Sequence, residues 1–403
     1  MKENKKKSVI VAMSGGVDSS TTAYLLKKEG YEVIGMFMRL GIDSKVSENA
    51  ARSVCNKLGI RFYPVNLAPQ FKKEVINYFI ESYKKGLTPN PCVNCNKLIK
   101  FKELLKIKDE IGVDFLATGH YIKKIKQKDK YKILKGDDPK KDQSHFLYNL
   151  TQKQLDNILF PLGEYEKEDV RKIADKAKLP YLTKESQDVC FMNQSGKIIE
   201  HNDFLKNYIK QTPGSIKIIT SKQDKNLSLR GAERQSNLGD RVDKNKIATP
   251  HKCGARADSV IGEHKGLPFY TIGQRRGVEI GGTGPYYVVE KDFKTNTLYV
   301  VEDGDDKSLY SDSLIAENVN WVLGVEPKLP LECEAVIRYR HKAISCKVVK
   351  LKSKKYKVEF EKPQRAVTSG QSVVFYKIRR ATTNSAHLNE NNEYEVLGGG
   401  VIK

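Results

Sequence analysis

The chain has 403 residues, enough for two or three domains, each with its own core. Its 71 lysines and arginines against 49 acids leave a formal charge of +22, which implies a polyanionic partner, although a lysine-rich proteome would produce the same excess. The basic start at residues 2–7 carries no apolar signal region and no run reaches about 18 apolar residues, so neither secretion nor a membrane span is supported. Seven cysteines, an odd number, favour reduced thiols over a disulfide scaffold, and the expected location is the cytoplasm.

In chain order, residues 8–13 form an apolar strand that breaks into Ser14-Gly15-Gly16-Val17-Asp18-Ser19-Ser20. A helix starting near Asp18 then carries Ala23, Leu25 and Leu26 toward a core and stops before Gly30. A glycine turn at a helix N-terminus is an anion site, because unpaired amides and the helix dipole both face the ligand. No lysine follows the glycines, so this is not the loop of ATPases that transfer the γ-phosphate. It resembles the pyrophosphate loop of enzymes that split ATP into AMP and pyrophosphate.

Strand-like segments at 31–38, 61–65 and 113–118 alternate with helix-like ones at 47–58, 71–83, 98–111 and 167–177. That alternation predicts a doubly wound parallel α/β sheet over residues 1–201, with ligands at the carboxyl ends of its strands. Beyond residue 201 the helical period fades and turn signals appear. A small β-rich domain is expected over 202–292 and a C-terminal β-barrel over 293–403, built from strands near 297–301, 335–339, 345–351, 356–360 and 372–376. Residues 218–259 and 377–392 read as polar insertions. His251 and Cys253 in the first are too few to make a metal site.

Thr88-Pro89-Asn90-Pro91-Cys92-Val93-Asn94-Cys95 is a proline-stiffened loop that delivers two cysteines to a helix start. With Lys97 and Lys100 close by, the Cys95 thiol is expected to have a depressed pKa and to react as thiolate. Cys190 lies in a separate Glu185-Ser-Gln-Asp-Val-Cys-Phe191 segment, and by itself reads as a buried core residue.

Taken together, Ser14 to Ser20, Thr88-Pro-Asn-Pro91, Cys95-Asn-Lys97, Thr118-Gly-His-Tyr121, Lys141-Asp142-Gln143-Ser144, Cys190-Phe191, Tyr270-Thr-Ile-Gly-Gln-Arg-Arg-Gly277, Arg338-Tyr339-Arg340 and Leu397-Gly-Gly-Gly400 resemble the tRNA-specific 2-thiouridylase family over nearly the whole chain. The resemblance implies replacement of the C2 oxygen of the anticodon wobble uridine by sulfur. It implies ATP over Ala12, Met13, Ser14, Gly15, Gly16, Val17, Asp18 and Ser19, with Met38 and Gly119 also at the nucleotide and Mg²⁺ placed near Asp18. It makes Cys190 the persulfide carrier, loaded by a sulfur-donor protein or cysteine desulfurase, and Cys95 its partner thiol. Asn90, Pro91, Cys92 and His120 would face the target base. Lys141, Asp142, Gln143, Arg338, Tyr339, Arg340 and Gln371 would contact tRNA.

Cys92 departs from the family, where the position is often aspartate. Three thiols at Cys92, Cys95 and Cys190 leave open an iron–sulfur cluster as an alternative, as in an enzyme thiolating another base. Other synthetases built on the same loop need no cysteine pair, and a non-catalytic tRNA-binding module would not need Gly15, Gly16 and Asp18.

Overall fold

The computed structural model describes residues 6–42, 44–183, 189–194, 197–219, 259–278, 280, 285–379 and 393–403. Most of the two expected insertions, with His251 and Cys253, therefore lies outside the described residues. Among the described residues no helix is long and apolar enough to cross a membrane.

The expected parallel sheet is present. Its five strands run Arg61–Asn66, Glu32–Arg39, Ser8–Met13, Phe115–Ala117 and Ile158–Leu159 in spatial order, all parallel. Val9, Ile10 and Val11 in the central strand have no exposed surface, as expected of a parallel strand covered on both faces. The helices Val17–Lys28 and Lys167–Lys176 pack against each other, and Ala23, Leu26, Val170 and Ala174 share one core with Val9 and Val11. The helix Lys45–Leu58 stops at Gly59, which adopts φ 60° and serves as a left-handed C-cap. Chain order reverses between the strands Ser8–Met13 and Phe115–Ala117, and a ligand crevice forms at that reversal in open α/β sheets.

A four-stranded sheet follows, ordered Val260–His264, Gly214–Ile218, Thr297–Val301 and Tyr287–Asp292. The strand at 297–301, expected in the barrel, pairs here instead, because Ser215 to Ile218 match it in parallel register and Tyr287 to Asp292 in antiparallel register. Six antiparallel strands then close into a barrel: Tyr310–Trp321, Tyr356–Arg365, Ile344–Lys350, Leu331–Val336, Ser372–Arg379 and Glu393–Ile402, the last pairing with the first. Closure leaves no free sheet edge in this barrel.

A hairpin of the first domain, Ile122–Gln127 with Lys130–Lys135, adds to the barrel strand Glu393–Ile402 through Leu134 and Ile133. The Lys132–Glu395 pair at 3.0 Å and the Lys123–Glu393 pair at 2.8 Å reinforce the join. The first domain thereby lends two strands to the barrel's sheet, which stays separate from the parallel sheet, and local patterning did not indicate this join.

Candidate functional site

The turn after the central strand is built around positions that exclude side chains. Gly15 has φ +81°, and a Cβ there would collide with the Ser47 carbonyl. A Cβ on Gly119, at the end of the neighbouring strand, would lie 2.9 Å from the Asp18 backbone. Gly15 thus lets the turn close on the helix Lys45–Leu58, and Gly119 lets its strand end close on the start of the helix Val17–Lys28. Ser19 ties the turn together: its hydroxyl accepts from the Ser14 amide at 3.1 Å and donates to the Gly16 carbonyl at 3.1 Å. The Leu182 amide clamps the turn from outside by donating to the Gly15 carbonyl at 2.9 Å.

Ser14 is exposed, while Ala12, Gly16, Asp18, Met38 and Gly119 are half-buried around the crevice. Met13 and Val17 instead point into the core, so any contribution they make to a ligand comes from backbone. The Asp18 carboxylate accepts from the Lys167 ammonium and from the Tyr121 hydroxyl, both at 2.6 Å. Lys167 opens its helix, where a cation opposes the dipole. Asp138 holds that helix start by accepting from the Lys167 amide at 3.0 Å. Sequence reasoning missed Lys167, and its unfavourable position was the available signal.

The proline loop is held from behind by both later domains. The Thr88 amide donates to the Ser369 carbonyl at 2.9 Å, and the Gln371 amide donates to the Thr88 carbonyl at 2.8 Å. The Thr88 and Thr271 hydroxyls meet at 3.2 Å. Lys291 donates to the Gly86 and Tyr270 carbonyls at 2.7 and 2.8 Å, and burial lowers its pKa to about 8. Gln371 and the Tyr270 to Gly277 segment therefore help position the loop. Asn90 precedes the helical turn Pro91–Asn94, and Pro91 occupies its first position, where the missing amide hydrogen costs nothing. The chain continues as the wide-turned segment Cys95–Phe101 and the helix Lys102–Glu110.

Cys95 is buried, whereas Cys92 and Cys190 present surface to solvent. Cys190 is not the core residue its segment alone indicated; Phe191 and Met192 beside it take that place. None of the described cysteines is in a disulfide. The three thiols nevertheless act on one another electrostatically. Although the residue keeps surface open to solvent, the protein around its sulfur pushes the Cys190 thiol up to about 12, with Cys95 and Cys92 adding to the rise and Lys100 opposing it. Burial likewise pushes Cys95 up to about 11 against Lys100, with Cys92 adding to the rise, and raises Cys92. The expected depression at Cys95 is therefore corrected: loss of hydration outweighs the nearby lysine. Among the described residues no three His, Cys, Asp or Glu side chains are gathered to hold a metal ion. The three cysteines do not form a ready ligand set for an iron–sulfur cluster.

His120 is buried between Phe101 and Phe160, with Nδ1 at 2.8 Å from the Thr118 hydroxyl. Burial, then Lys100, hold it well below the usual histidine range. Further along, Lys141 and Asp142 join Tyr339 and Arg340 in lining a cleft of about 570 Å³ between the turn at 139–145 and the barrel. Asp142 accepts from the Gly136 and Ser144 amides and from the Ser144 hydroxyl, so its carboxylate serves its own turn. Gln143 likewise accepts from the Tyr121 amide at 3.2 Å. Arg338 is exposed and donates to the Ala366 carbonyl at 3.1 Å. The Tyr339 ring lies 4.5 Å from Phe146, and Arg340, at φ +63°, sits 5.1 Å over Tyr339.

A parallel sheet with a glycine turn at its reversal point, joined to a closed barrel, defines a nucleotide-binding α/β class. Three domain models match in order: a tRNA methyl transferase HUP domain at 7–194, a tRNA methyl transferase PRC-barrel domain at 247–302 and an aminomethyltransferase β-barrel domain at 311–402. The chain is 40% identical to the tRNA-specific 2-thiouridylase MnmA of Geobacillus thermodenitrificans over 98% of its own length and 94% of that protein's. It is 39% identical to the protein of that name from Clostridium botulinum strain Alaska E43, over 99% and 98%, and 38% identical to that of Serratia proteamaculans, over 100% and 99%. The chain belongs to the tRNA-specific 2-thiouridylase family.

Proposed function

We propose that the chain is a tRNA 2-thiouridylase, a sulfurtransferase of the cytoplasm that converts the anticodon wobble uridine to 2-thiouridine. What carries the reading is the 40% identity to a tRNA-specific 2-thiouridylase over 98% of the chain, and it is supported by Cys190 lying within electrostatic reach of Cys95 and Cys92. The turn at Ser14 to Ser19 fits a nucleoside triphosphate, since it puts a helix N-terminus, with its unpaired amides, at the carboxyl end of the central strand. Mg²⁺ would need few protein ligands there beside substrate phosphates, and Asp18, at the start of the helix Val17–Lys28, is the carboxylate of the turn that could serve as one.

In this reading the wobble uridine leaves its stack and enters the pocket, and its C2 oxygen attacks the α-phosphorus of ATP, releasing pyrophosphate. The outer sulfur of a Cys190 persulfide, delivered by a donor protein, then attacks C2, and AMP departs with the original oxygen. Cys95 attacks the Cys190 sulfur of the resulting adduct, forming a Cys95–Cys190 disulfide and leaving the new sulfur on the base; an external dithiol resets the pair. Alternatively Cys95 frees sulfide from the persulfide before attack. Lys100 is the cation placed to favour the thiolates, and Arg340 and Lys141 the groups suited to tRNA phosphates.

Incubation of the protein with tRNA and ATP tests the reading. AMP and pyrophosphate are expected only when tRNA is present, and 2-thiouridine when a sulfur donor is added. Release of neither product would leave only a tRNA-binding protein.

A further inference from the structure

Cys92 is the thiol that no step of the mechanism above uses. It stands three residues before Cys95, and the Cys95 amide donates to the Pro91 and Cys92 carbonyls, so the two cysteines lie one helical turn apart. Side chains at that spacing share a helix face with Cβ atoms about 5–6 Å apart, and tightening one turn brings them to the roughly 3.5–4.5 Å of a disulfide. At Cys95 the chain passes into the wide-turned segment Cys95–Phe101, so the helical ladder is already altered where that tightening would fall. Cys190 is anchored to the same layer. Phe191 beside it packs edge-on against Phe71 at 6.1 Å and Phe79 at 5.2 Å between centroids, and the helical stretch 68–84 that carries those rings packs on the segment Cys95–Phe101. Exposure divides the three: Cys95 is buried, whereas Cys92 and Cys190 reach solvent. Lys100 acts on all three sulfurs toward the thiolate, so one cation can follow the charge from each to the next.

Both sulfur-transfer routes above end with Cys95 and Cys190 joined, and Cys190 carries no further sulfur until that bond opens. A dithiol in solution has access to the bond only at Cys190. A thiol one turn from Cys95 has a far higher effective concentration than any dithiol in solution. We infer that Cys92 is the resolving thiol of the cycle, attacking Cys95 in the Cys95–Cys190 disulfide and moving the oxidised state to a Cys92–Cys95 pair. The Cys92 thiolate forms the new bond to the Cys95 sulfur, the Cys95–Cys190 bond breaks, and its electron pair leaves on Cys190, which takes up a proton. The exchange is redox-neutral. A small external dithiol then attacks exposed Cys92, reduces the pair and is itself oxidised to its disulfide. The inference rests on the tRNA 2-thiouridylase reading and gives a role to the cysteine that stands where the family often has aspartate.

The test loads Cys190 of the full chain with persulfide from a cysteine desulfurase and cysteine, removes the donor, and starts one turnover with tRNA and ATP in the absence of reductant. The reaction is quenched in acid, free thiols are alkylated and tryptic peptides are mapped. Cys92 and Cys95 share one tryptic peptide, so their bond is internal to it, whereas Cys95–Cys190 cross-links two peptides. Wild type should end with the internal bond and with Cys190 free to alkylate. Cys92→Ser should end with the cross-link. At micromolar dithiothreitol its steady-state rate should fall about tenfold relative to its own first turnover, and recover as dithiothreitol is raised. Taking that ratio within each protein removes any effect of Cys92 on substrate binding, and the wild-type map decides between the pairs without any variant.

A wild-type end state with the Cys95–Cys190 cross-link would overturn the inference, and so would a ratio in Cys92→Ser equal to that of wild type. 2-Thiouridine formed with no bond among the three cysteines would overturn it too, since nothing would remain to resolve. Each of these outcomes leaves the tRNA reading standing. Absence of 2-thiouridine from wild type would bring down that reading and the relay with it.

Discussion

The glycine turn and the cysteine group are organised in opposite ways. At Ser14 to Ser19 the backbone is already closed: Gly15 and Gly119 admit no side chain, Ser19 bonds twice within the turn, and Leu182 clamps it. The cysteines lie within electrostatic reach of one another but are not armed. Of Cys92, Cys95 and Cys190 only Cys95 is buried, yet the protein packed around each sulfur raises all three thiols and favours the protonated form. A phosphate cradle needs only fixed amides and can be complete before its ligand arrives. A persulfide site gains from thiols that stay protonated until substrate and donor are present, because an idle thiolate is open to oxidation.

The contrast breaks most sharply at Cys190. Cys190→Ser is expected to abolish thiolation, a loss of more than about a thousandfold as for removal of a nucleophile, while tRNA-dependent pyrophosphate release stays near wild type. Retained 2-thiouridine in that variant, measured by nucleoside analysis, would remove its sulfur-carrying role. Gly119→Ala should do the reverse. Its Cβ would press on the Asp18 backbone, and pyrophosphate release should fall about a hundredfold as the cradle is displaced, in line with small misplacements at reacting centres. A variant that melts like wild type yet keeps full release would mean the turn is not the nucleotide site.

Much of this division was legible before any coordinates. Residues 8–20 announce strand, turn and helix, because apolar run, glycines and helical periodicity agree locally. The barrel strands Ile344–Lys350, Tyr356–Arg365 and Ser372–Arg379 were legible from alternation and turn residues, whereas Tyr310–Trp321 and Glu393–Ile402, which close the barrel, were not expected. The hairpin Ile122–Gln127 and Lys130–Lys135 was not, since its partner Glu393–Ile402 lies over 250 residues away and nothing local encodes that pairing. The protonation of Cys95 was misjudged for a related reason: lysines are visible in sequence, whereas the protein mass that desolvates the sulfur is assembled by the fold.

A middle-sized effect belongs to Lys167, the cation that sequence reasoning passed over. Lys167→Met removes the partner of Asp18 and should slow pyrophosphate release about tenfold to thirtyfold, mainly by misorienting the carboxylate. Asp18 is partly open to water, so the loss stays below that of breaking a fully buried pair. Tyr121→Phe, which deletes the other donor to Asp18, should cost less. Equal rates in both variants and wild type would show that Asp18 is not the carboxylate the nucleotide uses.

The protonated state of the thiols can be read directly. With Cys95 near 11 and Cys190 near 12, neither is more than a trace thiolate at pH 7, and the thiolate fraction rises about tenfold for each pH unit below those values. Alkylation of each cysteine, followed by mass spectrometry, should therefore rise from pH 7 to 9 without levelling. A plateau near pH 8 at Cys95 would restore the lysine-activated thiolate and erase the contrast with the preformed cradle.

The smallest expected effect lies in the cleft. Arg340 is exposed and covers Tyr339, so its guanidinium can meet a phosphate without giving up a buried partner. Arg340→Ala should weaken tRNA binding about threefold to tenfold at moderate salt, similarly for all accepted sequences. It should also reduce the slope of log affinity against log salt by about one. Gln371→Ala should leave that slope alone, because Gln371 donates to the Thr88 carbonyl and supports the proline loop from behind. Its loss should appear instead in the rate of thiolation, through a loop that no longer holds Asn90 and Cys95 steady. Opposite outcomes, an unchanged slope for Arg340 and an altered one for Gln371, would exchange their roles and place the RNA on the far side of the barrel rim.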